Sequence, residues 1–173
     1  EREAIYDIFE EVCGARLTTN IGRIGGMERD FSAGFHTKLK AFLKSFPPKL
    51  EEFNSMLERN RIFMDRTIGA GPIEGKRAME YGFTGPNLRA AGIDYDVRVM
   101  NPYSSYQDFE FTIPVGANGD TYDRFVVRQE EIRQSLRIIH QAYNNLPQGD
   151  FHADVPDYYL PLKEDVYTKM EAL

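Results

Sequence analysis

Residues 119–149 read GDTYDRFVVRQEEIRQSLRIIHQAYNNLPQG, and this stretch decides the fold class. Asp120 is a good N-cap residue. Behind it Tyr122, Phe125, Val126, Ile132, Leu136, Ile139 and Tyr143 trace one helical face. The stripe runs to Leu146, and Pro147 and Gly149 end it. A helix of about 26 residues is expected here, the longest of the chain and roughly 39 Å from end to end.

The same periodicity recurs upstream. Ile5, Ile8, Phe9 and Val12 form the apolar face of a first helix that stops at Gly14. Leu17 to Ile24 alternates between β-branched and polar residues, and with Gly22, Gly25 and Gly26 it reads as an extended linker with tight backbone geometry. Ser32 is a second N-cap candidate, followed by Phe35, Leu39, Phe42, Leu43 and Phe46 at helical spacing. Pro48 lacks an amide hydrogen and disfavours the helical region for Pro47, so a break or sharp kink is expected there. That gives two helices, about 35–46 and 48–60. Residues 67–120 are rich in glycine and proline and support only short helices between turns, the best at Ile73 to Tyr81. Phe109 to Ile113 alternates like a short strand, and a last helix starts near Leu162. The expected fold is mainly α, a helical bundle with a long irregular Gly/Pro-rich insertion.

Composition bounds the function classes. The chain has 173 residues and 42% hydrophobic side chains, enough for a single domain over 1–173 that buries roughly 70% of its unfolded surface. The net charge is −6, all of it from residues 67–173, since residues 1–66 carry 11 basic and 11 acidic side chains. That balance argues against nucleic acid and against a polybasic membrane anchor. No apolar run reaches the ~18–20 residues of a transmembrane helix. The single cysteine excludes an internal disulfide, a Cys-ligated iron–sulfur cluster and a Cys-rich zinc site in this chain. The chain opens on Glu1-Arg2-Glu3 in helical pattern and ends without a helix stop, so both ends read as cuts in a longer protein.

Chemistry-bearing residues are few. His36, His140 and His152 have no partners at metal-ligand spacing, and Cys13 sits in no nucleophile motif. No catalytic residue and no metal ligand is assigned. Glu10/Glu11, Glu51/Glu52 and Glu130/Glu131 are adjacent on helices, where side chains diverge, and they read as solvated faces. Arg23-Ile24-Gly25-Gly26 has neither the Walker nor the Rossmann spacing. Arg89, Asp94 and Asp96 lie in the irregular region, where they either pin a loop through salt bridges or face a partner.

A set of ordered motifs goes further. Gly14-Ala15-Arg16-Leu17-Thr18-Thr19-Asn20 precedes Arg23-Ile24-Gly25-Gly26, and Asn60-Arg61-Ile62-Phe63 precedes Asp65-Arg66-Thr67. Then come Thr84-Gly85-Pro86-Asn87-Leu88-Arg89-Ala90-Ala91-Gly92, Asn101-Pro102-Tyr103, Gly119-Asp120, Tyr122-Asp123-Arg124, Gln134-Ser135 and Ile138-Ile139. Together they resemble the D-subunit family of NADH–quinone oxidoreductase, respiratory complex I, over nearly the whole chain. Its fold is shared by the large subunit of nickel–iron hydrogenases, whose paired CxxC metal motifs are absent here.

The resemblance implies a central fragment of a subunit that packs on the iron–sulfur (B) subunit of complex I, next to its C subunit, and helps form the site where electrons from NADH reduce quinone. It implies that Arg16, Thr18 and Arg23 lie near the terminal cluster or in the wall of the quinone cavity. A guanidinium there would stabilise the electron on a reduced cluster. Many relatives carry a histidine where Thr18 stands. The resemblance further implies that this chain binds no cofactor itself, the iron–sulfur cluster lying on the neighbouring subunit. The complex would sit peripherally on the cytoplasmic face of a bacterial inner membrane and couple its chemistry to proton translocation, and the isolated fragment would be inactive. The alternative is a structural or assembly module of a redox complex without chemistry of its own.

Overall fold

The computed structural model describes residues 1–155, 158 and 160–172. Helices dominate it. They are α1 (Arg2–Cys13), α2 (Ala33–Glu58), α3 (Arg61–Thr67), α4 (Gly75–Glu80), α5 (Gly85–Ala90), α6 (Val97–Met100), α7 (Thr121–Asn144) and α8 (Lys163–Thr168). Two short strands, β1 (Gly22–Arg23) and β2 (Gly26–Met27), form an antiparallel hairpin. The mainly α expectation holds. The chain divides into two compact units, one of Glu1–Lys44 with the segment from Pro147 onward, the other of Ser45–Leu146.

In the first unit, α1 ends at Gly14, whose φ of 72° is the left-handed cap that glycine adopts freely. Ser32 caps α2, accepting from the Phe35 amide at 3.0 Å. Lys38 and Ser32 both reach Glu11, at 2.6 and 2.7 Å, and so tie α2 to α1. The stretch read as an extended linker folds into the β1–β2 hairpin, with Ile24 and Gly25 at the turn. A third segment extends it: Met27 donates to the Phe151 carbonyl and Ala153 to that of Gly25, both at 2.9 Å. A Cβ on Gly26 would overlap the Phe151 carbonyl oxygen, so close backbone pairing explains this glycine.

Two expectations about the long helices are corrected. There is no break at Pro47-Pro48, because α2 runs unbroken from Ala33 to Glu58. Both prolines are exposed, so the Leu43 and Lys44 carbonyls that lose their donors can turn to water, while Phe42 and Leu50 are buried on either side. At 26 residues α2 is therefore longer than α7 at 24, and α7 is not the longest helix.

In the second unit α7 is the organising element, with α3 and α5 packed on it. Phe63 meets the Phe125 ring edge-on at 5.0 Å. Asp120 caps α7 by accepting from the Asp123 amide at 2.8 Å, and its other oxygen accepts from the Gly69 amide at 2.8 Å. Burial alone would raise the Asp120 pKa, but these backbone donors outweigh it and hold the carboxyl below its usual range. The Arg89 and Ala90 carbonyls at the end of α5 accept from Gly116 and Gly119. A Cβ on Gly119 would overlap the Ile73 carbonyl oxygen, which makes this a glycine-only crossing.

The short helix expected over 73–81 forms as α4, and the last helix, α8, begins one residue after Leu162. The strand expected at Phe109 to Ile113 does not form. The segment instead lies along α7, whose glutamines serve its backbone. Gln134 Oε1 accepts from Thr112 at 3.1 Å; Gln141 accepts from the Glu110 amide and donates to its carbonyl, at 2.9 and 2.8 Å. Side-chain amides take the place of a neighbouring strand.

Candidate functional site

The segment from Gly14 to Gly26 is built on α1. Glu3, Asp7 and Glu10 share one helix face, and the Gly14 turn brings Arg16 back over it. The guanidinium donates to Glu3 at 2.5 Å, Asp7 at 2.7 Å and Glu10 at 2.9 Å, and lies 5.7 Å from the centroid of the Tyr6 ring. The hydrogen bonds to Asp7 and then Glu10 raise its pKa further, so it stays charged at every working pH. Arg23 donates to Glu28, to Asn20 Oδ1 at 3.2 Å and to the Gly22 carbonyl at 2.9 Å. Thr18 is exposed on the bend between these arginines. Leu17 and Ile24 beside them are 75% and 66% exposed, so two apolar side chains project from a polar loop.

Arg89 and Asp96 belong to a buried ion cluster in the second unit. Arg89, at the end of α5, pairs with Asp96 at 3.4 Å and with Glu131 of α7 at 2.5 Å, and donates to the Tyr95 carbonyl at 3.2 Å. Arg98 joins both carboxylates, at 2.5 Å to Asp96 and 3.1 Å to Glu131, with its guanidinium 4.9 Å from the Phe111 ring centroid. Burial would raise the Asp96 pKa, yet hydrogen bonds from the Arg98 side chain and backbone hold it below the usual carboxylate range. Asp94 is exposed and stands outside the cluster.

Sequence reasoning missed two members. Glu131, read with Glu130 as a solvated face, is inside the cluster, its side chain only 14% exposed. Its signal was the apolar stripe beside it, which places position 131 at the edge of the packed face. Arg98 follows Asp96 by two residues, a spacing that carries no helical or strand meaning by itself. The two arginines and two carboxylates neutralise one another and tie α5, α6 with its Asp96 cap, and α7 together. They hold the fold and do not present a reactive group.

The remaining candidates are structural. His140 Nδ1 lies 3.0 Å from the Asn144 side chain, and the His152 backbone pairs with Gly26. Among the described residues no three His, Cys, Asp or Glu side chains gather as a metal site would require. A groove of about 610 Å³ opens in the second unit, lined by Arg77, Tyr81, Phe83, Asn87 and Arg124 with residues 71–74.

Comparison with known proteins gives the family. The family model described as "Respiratory-chain NADH dehydrogenase, 49 Kd subunit" matches residues 1–173. The chain belongs to that family. Among its relatives, the second of the NADH-quinone oxidoreductase D subunits of Cytophaga hutchinsonii is 66% identical over 99% of this chain and 44% of its own length. The D subunit of Flavobacterium johnsoniae is 64% identical over 99% of this chain and 42% of its length, and that of Leptospira biflexa 52% over 99% and 42%. The chain thus spans less than half of these relatives. The family motifs quoted from the sequence fall at identifiable places in the structure. The Gly14–Asn20 and Arg23–Gly26 pieces make the Arg16 clamp and the hairpin. Thr84–Gly92 is α5 with its caps, and Gly119-Asp120 opens α7.

Proposed function

We propose that this chain works as part of the 49 kDa (D) subunit of an NADH–quinone oxidoreductase, in the enzyme that passes electrons from NADH to quinone and couples this to proton translocation. The segment carrying Arg16, Thr18 and Arg23 packs on the iron–sulfur (B) subunit, near the C subunit, and forms one side of the quinone cavity. The assembly is peripheral to the cytoplasmic face of the inner membrane, and this chain alone is inactive. The observation that carries the reading is the polar loop with projecting Leu17 and Ile24 beside Arg16, Thr18 and Arg23, a surface suited to being covered by a partner. One cysteine cannot ligate a cluster within these residues, and in this reading the iron–sulfur centre is carried by the neighbouring subunit.

A second reading, a bracing or assembly module, is favoured by the carboxylates around the arginines. Three acidic side chains surround Arg16, so its charge is largely spent within α1.

Arg16→Gln in the intact enzyme separates the two. The quinone-site reading expects normal amounts of assembled enzyme, quinone reduction lowered about tenfold or more, and a changed electron paramagnetic resonance signal from the neighbouring cluster. Loss of assembled enzyme with an unchanged signal in what remains establishes the bracing role instead. In the same preparation Thr18→His should make the cluster potential depend on pH between about 6 and 8, where imidazole titrates.

A further inference from the structure

The groove of the second unit has no role in that reading. Its lining holds Arg77 and Arg124 against one acidic residue, Glu74, and is net positive in a chain whose formal charge is −6. Elsewhere the arginines of clusters are matched by carboxylates: Arg16, Arg23, Arg89, Arg98, Arg133 and Arg137 all have one. Those at the groove form no ion pair among the described residues, although Arg124 is near enough to Asp120 to help lower its pKa. Arg77 donates to the Tyr81 hydroxyl at 3.3 Å and stacks 5.5 Å from that ring's centroid. Arg124 donates to the Gly119 carbonyl at 2.7 Å, the Gly71 carbonyl at 3.1 Å and the Thr121 hydroxyl at 2.9 Å. Arg128 donates to the Arg124 carbonyl and to Asn87, itself part of the lining, at 2.9 and 2.8 Å. The acceptors that orient these guanidinium groups are neutral.

A guanidinium presents a planar fork of donors that fits a carboxylate in two parallel hydrogen bonds. Arg77, with one bond to Tyr81, keeps such a fork. Arg124 has given both Nη2 hydrogens to Gly71 and Thr121, and adds charge and single N–H donors. In the same lining Tyr81 is 64% exposed and Phe83 36%. Arginine, tyrosine and phenylalanine together are the composition of a protein–protein contact rather than of a pocket for a small free anion. We propose that this groove is a docking site for a segment of a neighbouring protein chain that carries an aspartate or glutamate, its carboxylate held by Arg77 and Arg124 and its apolar part lying on Tyr81 and Phe83. The inference rests on the reading of this chain as a subunit of an assembly and is independent of where quinone is reduced.

The test uses the assembled complex, with a photo-crosslinking amino acid in place of Tyr81. The expected product joins position 81 to a different chain, at a peptide with an acidic residue within a few positions of the link. A link to another part of the same chain, a link to a peptide without carboxylates, or no protein link in a complex that has assembled overturns the proposal. Should the unmodified subunit not co-purify with other chains, the assembly reading itself fails. Arg77→Glu then gives a second readout. It should cut retention of the cross-linked chain at least tenfold, and reversing the charge of the acidic residue in that chain should restore it; a loss that the reversal leaves unrepaired is damage to the fold and refutes the contact.

Discussion

Asn54 shows how a single residue can work against the fold that contains it. Its side chain is 1% exposed within α2, and neither its amide nitrogen nor its oxygen has a hydrogen-bond partner among the described residues. A buried polar group left unpaired costs about 1–3 kcal/mol. Leucine has the same branching pattern of heavy atoms and no such requirement, so Asn54→Leu should raise stability by about 1 kcal/mol, read as a higher thermal unfolding midpoint. A lower midpoint would mean that the amide has a partner in solution. Arg89 is the opposite case. It is buried too, yet two carboxylates and a carbonyl surround it, leaving only its Nε unpaired.

At the scale of elements, α7 does more than bury an apolar stripe. Its buried positions include Gln129 and Gln134 as well as Val127, while Val126 and Ile139 of the stripe are exposed. Gln134, with Gln141 two turns further on, is there for the 109–113 segment, whose backbone the two satisfy. Gln134→Leu keeps the volume and removes the acceptor for the Thr112 amide. The expected result is a loss of about 1–2 kcal/mol and faster hydrogen exchange at Thr112. Unchanged exchange there would show that the segment is held by other contacts. Helix α2 makes the complementary point. Two adjacent prolines do not end a helix when their side faces water and buried residues flank them on both sides.

For the whole molecule, acid is the telling perturbation. Asp96 and Asp120 both have pKa values lowered in the folded state, Asp96 within the Arg89–Arg98–Glu131 cluster and Asp120 at the α7 cap. A lowered folded-state pKa means that the unfolded chain binds the proton more tightly. The stability these groups confer is complete above the unfolded carboxylate pKa of about 3.9, and is lost as pH falls through the lower folded values. The unfolding midpoint should therefore be insensitive to these groups between about pH 5 and 7 and drop below about pH 4. Asp96→Asn should weaken that drop and should also lower the midpoint at neutral pH, because Arg89 and Arg98 then lose a buried counter-charge. A midpoint that stays level down to about pH 2.5 in the unsubstituted chain would remove both carboxylates from this role.

What the sequence determined by itself is whatever depends on neighbours along the chain. The helical stripes, the Ser32 and Asp120 caps, the Gly14 stop and the mainly α class follow from periodicity and capping chemistry over four or five residues. The ordered motifs likewise name the family, because they are read in a line. The arginine expectations split along the same boundary. Arg89 and Asp96 could be singled out as a charged pair in an irregular stretch, whereas Glu131 and Arg98 could not be added to it. Arg89 and Glu131 meet only because α5 packs on α7 across 42 residues of chain. The Gln134 and Gln141 bonds to 110–112, the pairing of Gly26 with His152 and the unmatched arginines of the groove are of the same kind. Each is a contact between segments distant in sequence. Local propensity carries no information about such partners, and the packing of helices, together with the need of buried polar groups to be paired, decides them.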